Sequence, residues 1–404
     1  MPLYHRYAIP TLLLLIVLLF VGDAVYFLNG KKCCSDLSRL VYISIMQVLV
    51  ILTVNIRGAQ VMERKIMSLG KSSLVISLPK EWMQLNDLKK GDTISFNIQK
   101  DRSLVIYPSS LKRSEEKTIT LNIQSNEEEI LITQKILGAY LNGYTAITLA
   151  SEGIFTVPQT RAIRNMAGRL YMRVMEADAK CVNIQSLMDE SKASLEQAIQ
   201  RMHLISRSMC EGAFTALKNN DVPLAKSSYS LDDDVDHFAF LIMRILRNAA
   251  QNPHLANELH IDPIDCMDHQ TLITRMEHAS DYAAEITKHV IMLNGAKQTI
   301  PDDVLLLMVK AGTEVTELYV KAVEAFFSKD VNAAVNIMKH RQKLEKLDVE
   351  ITSKSFIGPQ KSAELVCGIC SIRDNIKRIS HCTFSIAEIA VNRAFKVPTP
   401  EITK

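Results

Sequence analysis

Four regimes of hydrophobic patterning follow one another along the chain. Residues 9–28 are nearly all apolar, broken by Asp23, and residues 40–56 form a second apolar run holding Gln47 and Asn55. Each is long enough to span a bilayer. After Met62 the runs become short and β-branched. This pattern predicts a strand at 64–68, a turn at Leu69-Gly70 and a second strand at 74–78. Pro79-Lys80-Glu81-Trp82 then opens a short helix, where proline is tolerated in the first turn. A Lys90-Gly91-Asp92 turn leads into a strand in "TISFNIQ", and "KDRS" connects it to a last strand, "LVIYP". Residues 114–183 alternate as strand 118–123, helix 127–141, strand 145–150, helix 159–170 and strand 180–184, a small α/β connector. From Ser186 glycine is scarce and apolar residues recur at helical spacing. Six long helices are predicted there, at 187–219, 222–251, 270–293, 302–329, 331–355 and 361–393.

The helical part repeats itself. "DVPLA" at 221–225 answers "DVNAA" at 330–334, and "SDYAAEI" at 280–286 answers "SHCTFSI" at 380–386. A duplicated three-helix unit accounts for this, because one such unit hides its apolar face against the next.

Charge divides the chain in a way the periodicity does not. Residues 62–113 carry ten Lys/Arg against five Asp/Glu, and residues 114–404 carry 32 against 37. A small basic module on a larger acidic body points to a polyanionic partner, and equally suits a solvated basic surface. About 45 residues are too few for an independent core, so the module is expected to share one in an obligate dimer. The eight cysteines are dispersed, which suits a reducing cytoplasm. Cys367 and Cys370 form a lone C-x-x-C that reads as small helical packing residues. The first 61 residues are read as an over-extended start ahead of a true initiator at Met62, or else as a transmembrane hairpin. Their Lys/Arg placement gives no clear orientation.

Two motifs bear on chemistry. Gly70-Lys71-Ser72 has the tail of a phosphate-binding loop, but Lys65 stands where the upstream glycine belongs and an apolar strand follows instead of a helix. Asp232 and Asp236 are spaced i,i+4, as are Glu277 and Asp281. Each pair lies on one helix face, where like charges cost about 0.2–0.5 kcal/mol. Two such pairs on neighbouring helices call for a cation between them, and all-oxygen ligands suit a hard cation or iron. The competing reading is a solvated acidic face. His237 and His278 stand beside the pairs as further candidate ligands.

"RKIMSLGKSSLVISLPKEWMQLNDLKKGDTISF" resembles the swapped-hairpin DNA-binding domain of the AbrB/SpoVT/MazE family, with Leu-Pro-Lys-Glu-Trp similar to its archaeal form. The resemblance implies a homodimer that lays its basic first strand and turn on DNA. It places Arg64, Lys65, Lys71 and Lys80 as DNA contacts. Met83 and Gln84 stand where the family carries a basic pair. "SLDDDVDHFAFLIMRILR" and "RMEHASDYAAEI" resemble the D-x-x-V-D and E-R-I-G-D-H-A signatures of the PhoU family of phosphate-uptake regulators. That resemblance covers about 186–395. It implies a six-helix tandem bundle with metal on Asp232, Asp236, Glu277 and Asp281. At the matching positions of the second repeat stand Arg341, Glu345, Lys377 and His381, so one metal site is expected and the basic residues are assigned to internal ion pairs.

The expected protein is a multidomain α+β chain. An N-terminal extension (1–61) precedes a swapped-hairpin β-barrel domain (62–110) and an α/β connector (111–185). A tandem three-helix PhoU-like bundle follows (186–293 and 302–395). No nucleophile–base pair is found, so no enzymatic activity and no catalytic residue are expected. The expected function is a cytoplasmic, dimeric, DNA-binding regulator of phosphate uptake, with iron, zinc, magnesium or manganese in the bundle. The rival is an adaptor that docks on a phosphate transporter or sensor kinase and uses the basic module only to dimerise. A membrane-tethered form follows if residues 1–61 are genuine.

Overall fold

The computed structural model describes residues 63–70, 73–98, 103–108, 117–186, 194–355 and 362–397. The two apolar N-terminal runs and Lys71 lie outside the described residues. The chain divides into two units, one running up to Lys90 and one from Gly91. No described helix is long and apolar enough to cross a membrane.

The first unit contains strands β1 (Met67–Leu69) and β2 (Ser73–Val75), paired antiparallel with Met67 opposite Val75, and helix α1 (Lys80–Leu85). Both strands are shorter than the apolar pattern predicts. Gly70, at φ +74, supplies the left-handed turn between them. A strand and not a helix follows the Gly-Lys-Ser, which removes the nucleotide-loop reading. No described residue from 63 to 90 is buried. Ile66, Leu74 and Leu85 are 71%, 73% and 84% exposed, so this unit carries apolar side chains with no core of its own to enter.

The second unit opens with the antiparallel pair β3 (Ile94–Ile98) and β4 (Leu104–Pro108). A four-stranded sheet follows, of β5 (Thr118–Ile123), β6 (Ala146–Ser151), β7 (Met172–Ala177) and β8 (Cys181–Ser186), in the order β5-β6-β8-β7. β5 and β6 run parallel, joined through α2 (Glu129–Leu141), and the other pairs are antiparallel. Helix α3 (Val157–Arg169) starts at a capping box between Thr156 and Gln159 and leads into β7. Strand β7 is absent from the sequence reading. It is a half-exposed edge strand in which only Met172 is buried, and that leaves little alternation to detect. The core of this layer is Ile132, Ile136, Ile147, Leu149, Ile163 and Ile184.

Among the described residues nine helices complete the unit: α4 (Leu195–Asn219), α5 (Val222–Tyr229), α6 (Asp232–Gln251), the short connecting α7 (Pro253–Glu258), α8 (Pro263–Gly295), α9 (Asp302–Ser328), α10 (Val331–Lys339), α11 (Arg341–Ser355) and α12 (Ala363–Ala394). The middle helix expected of each half is in fact two. Asp232, Asp233 and Asp234 restart the first one, because three carboxylates in a row suit the positive end of a helix dipole. The third helix begins at Pro263, well before the expected start, behind a capping box of Asp262 and Asp265. The two halves use the same local devices. Asn220 and Lys329 end the long first helices in left-handed conformations, and Asp221 and Asp330 then cap the next helix through the amides of Leu224 and Ala333. Met202, Ile242, Ile273, Met276, Met308, Tyr319, Phe326, Ile372 and Ile379 lie in one continuous buried core. Cys367 is exposed on α12, contrary to its expected packing role.

The α/β layer is fixed to the bundle through α6. Phe240 packs against the core of the layer. Arg244, 2% exposed, donates from Nη1 to the carbonyls of Tyr140 and Tyr144 and stacks 4.5 Å over the Tyr140 ring. A guanidinium is thus the cap on the negative end of α2. Gly143, at φ +86, allows the close approach, since a Cβ there would meet Asn248 Oδ1 at 2.3 Å.

Candidate metal centre

Helix α6 brings Asp232 and Asp236 to the face that meets α8, and α8 brings Glu277 and Asp281. One carboxylate oxygen each from Asp236, Glu277 and Asp281 lies within 4.8 Å of the others, and all three residues are half-buried. Among the described residues no other trio of His, Cys, Asp and Glu converges in this way. Asp232 stands outside that trio, but its Oδ1 is buried with no hydrogen-bond partner. The same holds for His237 Nε2, whose ring lies 5.7 Å from that of Tyr171. His278 Nε2 is 3.6 Å from Glu277 Oε2 at the partly exposed rim, and neither histidine joins the converging carboxylates.

The electrostatics are those of crowded carboxylates removed from water. Burial pushes the Glu277 carboxyl up to about 8, with Asp281, Asp236 and Asp232 adding to the shift. Burial pushes Asp281 up to about 7, with Asp232 and Asp236 adding to it. Asp232 is raised by burial and by Asp236. Asp236 is raised by burial and held back by Arg169. Groups so placed either keep a proton or take a cation. The donor set, three or four carboxylate oxygens with a buried orphan oxygen beside them, fits a hard divalent cation or iron.

Arg169 is the functional residue that sequence reading missed. It ends α3, and its Nη2 bonds Asp236 Oδ2 while lying 3.3 Å from Asp233 Oδ1. Sixty-seven residues separate Arg169 from Asp236, and no local pattern joins them.

In the second half, Arg341 pairs with Glu388 at 3.0 Å and lies over the Phe384 ring. Arg373 and Lys377 approach Asp348 at 3.4 and 3.5 Å. Arg341, Glu345, Asp348, Arg373, Lys377 and His381 line a small cleft of about 30 Å³. Of the four matching positions in the second half, Arg341 and Lys377 stand in ion pairs. Arg64, Lys65 and Lys80 are exposed in the first unit, the first two ahead of β1 and the last at the start of α1.

Residues 199–290, which carry all four carboxylates, match the family model of the PhoU domain. This stretch of the chain is similar to a PhoU domain. Residues 68–115 match a second model, antidote-toxin recognition MazE, bacterial antitoxin, which covers the β1-to-β4 region. The match agrees with the AbrB/SpoVT/MazE resemblance of the same segment. PhoU from Pseudomonas aeruginosa superimposes with a TM-score of 0.45 at 16% identity, over 49% of this chain and 94% of that one. The phosphate transport system regulatory protein PhoU from Streptococcus pneumoniae gives 0.42 at 15% identity, over 52% and 96%. No curated protein matches the sequence.

Proposed function

We propose that this PhoU-domain protein is a non-enzymatic, dimeric, DNA-binding regulator of phosphate uptake whose first three-helix repeat holds a metal ion. The observation that carries the reading is the joining of two matched parts in one chain, a MazE-like module at 68–115 and a PhoU domain at 199–290. Asp236, Glu277 and Asp281 are the proposed ligands, with Asp232 completing the set, and iron, zinc, magnesium and manganese are the candidate ions. Arg64, Lys65, Lys71 and Lys80 are the proposed phosphate contacts, which would supply sequence-independent affinity. The exposed apolar residues Ile66, Leu74 and Leu85 support a core completed by a second copy. The domain boundaries 62–110, 111–185, 186–293 and 302–395 belong to the same proposal.

One observation favours a second reading. Met83 and Gln84 replace the basic pair expected in α1, which suits an adaptor that keeps the module for dimerisation and acts on a phosphate transporter or sensor kinase. Mapping bound DNA across the genome, with and without phosphate starvation, separates the two. A regulator occupies discrete sites that change with phosphate supply. An adaptor gives no enrichment in either condition.

A further inference from the structure

The α/β layer reaches the carboxylate cluster at one point. The turn after α3 places Arg169 on Asp236 and Tyr171 against His237, its immediate neighbour. Tyr171 sits at φ +53, a conformation unfavourable for a residue with a Cβ and sustained here by its surroundings.

Three features of Arg169 stand out. A single atom, Nη2, makes both acidic contacts, so the pairing is not the two-pronged fork that gives arginine its firmest hold on a carboxylate. Its Nε is buried and has no hydrogen-bond partner, so the guanidinium is not fully satisfied where it lies. And its second acceptor, Asp233, stands 76% exposed and outside the converging trio. The residue that neutralises Asp236 is therefore incompletely satisfied and already within reach of another carboxylate.

A metal ion on Asp236, Glu277 and Asp281 would stand close to the Arg169 guanidinium, and like charges at such a distance in a partly dry groove repel. Asp233 offers the displaced guanidinium an acceptor without further travel across the surface. We propose that Arg169 is the internal counter-cation of the carboxylate cluster, that a metal ion displaces it from Asp236 and leaves it only the exposed Asp233, and that ion binding thereby weakens, without breaking, the hold of the α3–β7 turn on α6. This rests on the metal reading of the cluster. Coupling of this kind is reciprocal, so whatever draws the α/β layer away from α6 strengthens metal binding by the same factor. Arg244 and its two carbonyls are untouched by the exchange and, with Phe240, keep the layer joined to α6 elsewhere.

The test titrates Mn²⁺ and, separately, Zn²⁺ into the full chain by calorimetry, for the unmodified protein, Arg169→Gln, Arg169→Lys and the double variant Asp236→Asn/Asp281→Asn. Amide hydrogen exchange is followed over 157–171 in the same samples. The proposal expects Arg169→Gln to bind about tenfold more tightly or better, and Arg169→Lys to stay near the unmodified protein. It expects metal to speed exchange at 157–171 in the unmodified protein and to leave it unchanged in Arg169→Gln. Equal or weaker binding in Arg169→Gln, or exchange that ignores saturating metal, overturns the proposal. If the double variant loses binding while Arg169→Gln matches the unmodified protein, the metal site stands and only the displacement falls. If neither ion binds the unmodified protein, both fall.

Discussion

If the carboxylate cluster takes up a metal ion as proposed, it must expel protons, and the burial of its carboxyls sets how many. Glu277 titrates at about 8 and Asp281 at about 7, because both are buried beside Asp232 and Asp236. At pH 7 the first is about nine-tenths protonated and the second about half. The pair titrates jointly, so the protons are counted for the two together, and between one and two leave when a cation binds. At pH 9 the same count falls to about one-tenth of a proton. Calorimetric titration of Mn²⁺ in two buffers of different ionisation enthalpy reads the number directly, as the slope of observed heat against buffer enthalpy. Below pH 7 apparent affinity should weaken by roughly tenfold or more per unit, as protons compete for the ligands. The metal-free protein should show the converse trend in stability. Both carboxyls have folded values above their ordinary ones, so their stabilising contribution is complete below about pH 4. It is lost as pH rises through about 7 to 8. Proton release of zero at pH 7, or release unchanged between pH 7 and 9, would refute the crowded-carboxylate account.

Elemental analysis of the purified protein beside Asp236→Asn/Asp281→Asn should find metal in the first only, while replacing Glu345 leaves the content unchanged because Arg341 and Lys377 hold the second half in ion pairs. Chelation should lower the melting temperature of the unmodified protein and not that of the double variant. Arg244→Ala removes the donors for the Tyr140 and Tyr144 carbonyls and should cost about 3 kcal/mol in denaturant unfolding, with no change in metal content. Sedimentation should find a dimer that Leu74→Lys dissociates, since Leu74 is 73% exposed in the single chain; a monomer in the unmodified protein would remove the shared-core argument.

The sequence made some of this legible and concealed the rest for definite reasons. The i,i+4 carboxylate pairs could be read because helical spacing is written in the numbering, and α6 against α8 brings Asp236, Glu277 and Asp281 together. The repeat signal at Asp221 and Asp330 has a physical basis, since both side chains cap helices after a left-handed residue. The break between α5 and α6 was hidden because the apolar period runs on through it, and only the Asp232-Asp233-Asp234 run marked a new helix start. Arg169 and Arg244 were invisible for a different reason. Each acts across a sequence separation of more than sixty residues, on partners that carry no motif. Strand β7 escaped because an edge strand with one buried residue lacks the alternation by which strands are found.

The central proposal is that the MazE-like module delivers this protein to DNA. Fluorescence anisotropy of the intact protein on duplex DNA, repeated from low to moderate salt, tests it with one number. A dimer making about six phosphate contacts through Arg64, Lys65 and Lys71 gives a slope of log K against log salt near −5, which Lys71→Ala flattens by about two. A slope near zero in the unmodified protein, or one that Lys71→Ala leaves unchanged, would contradict the account and leave the module as a dimerisation device.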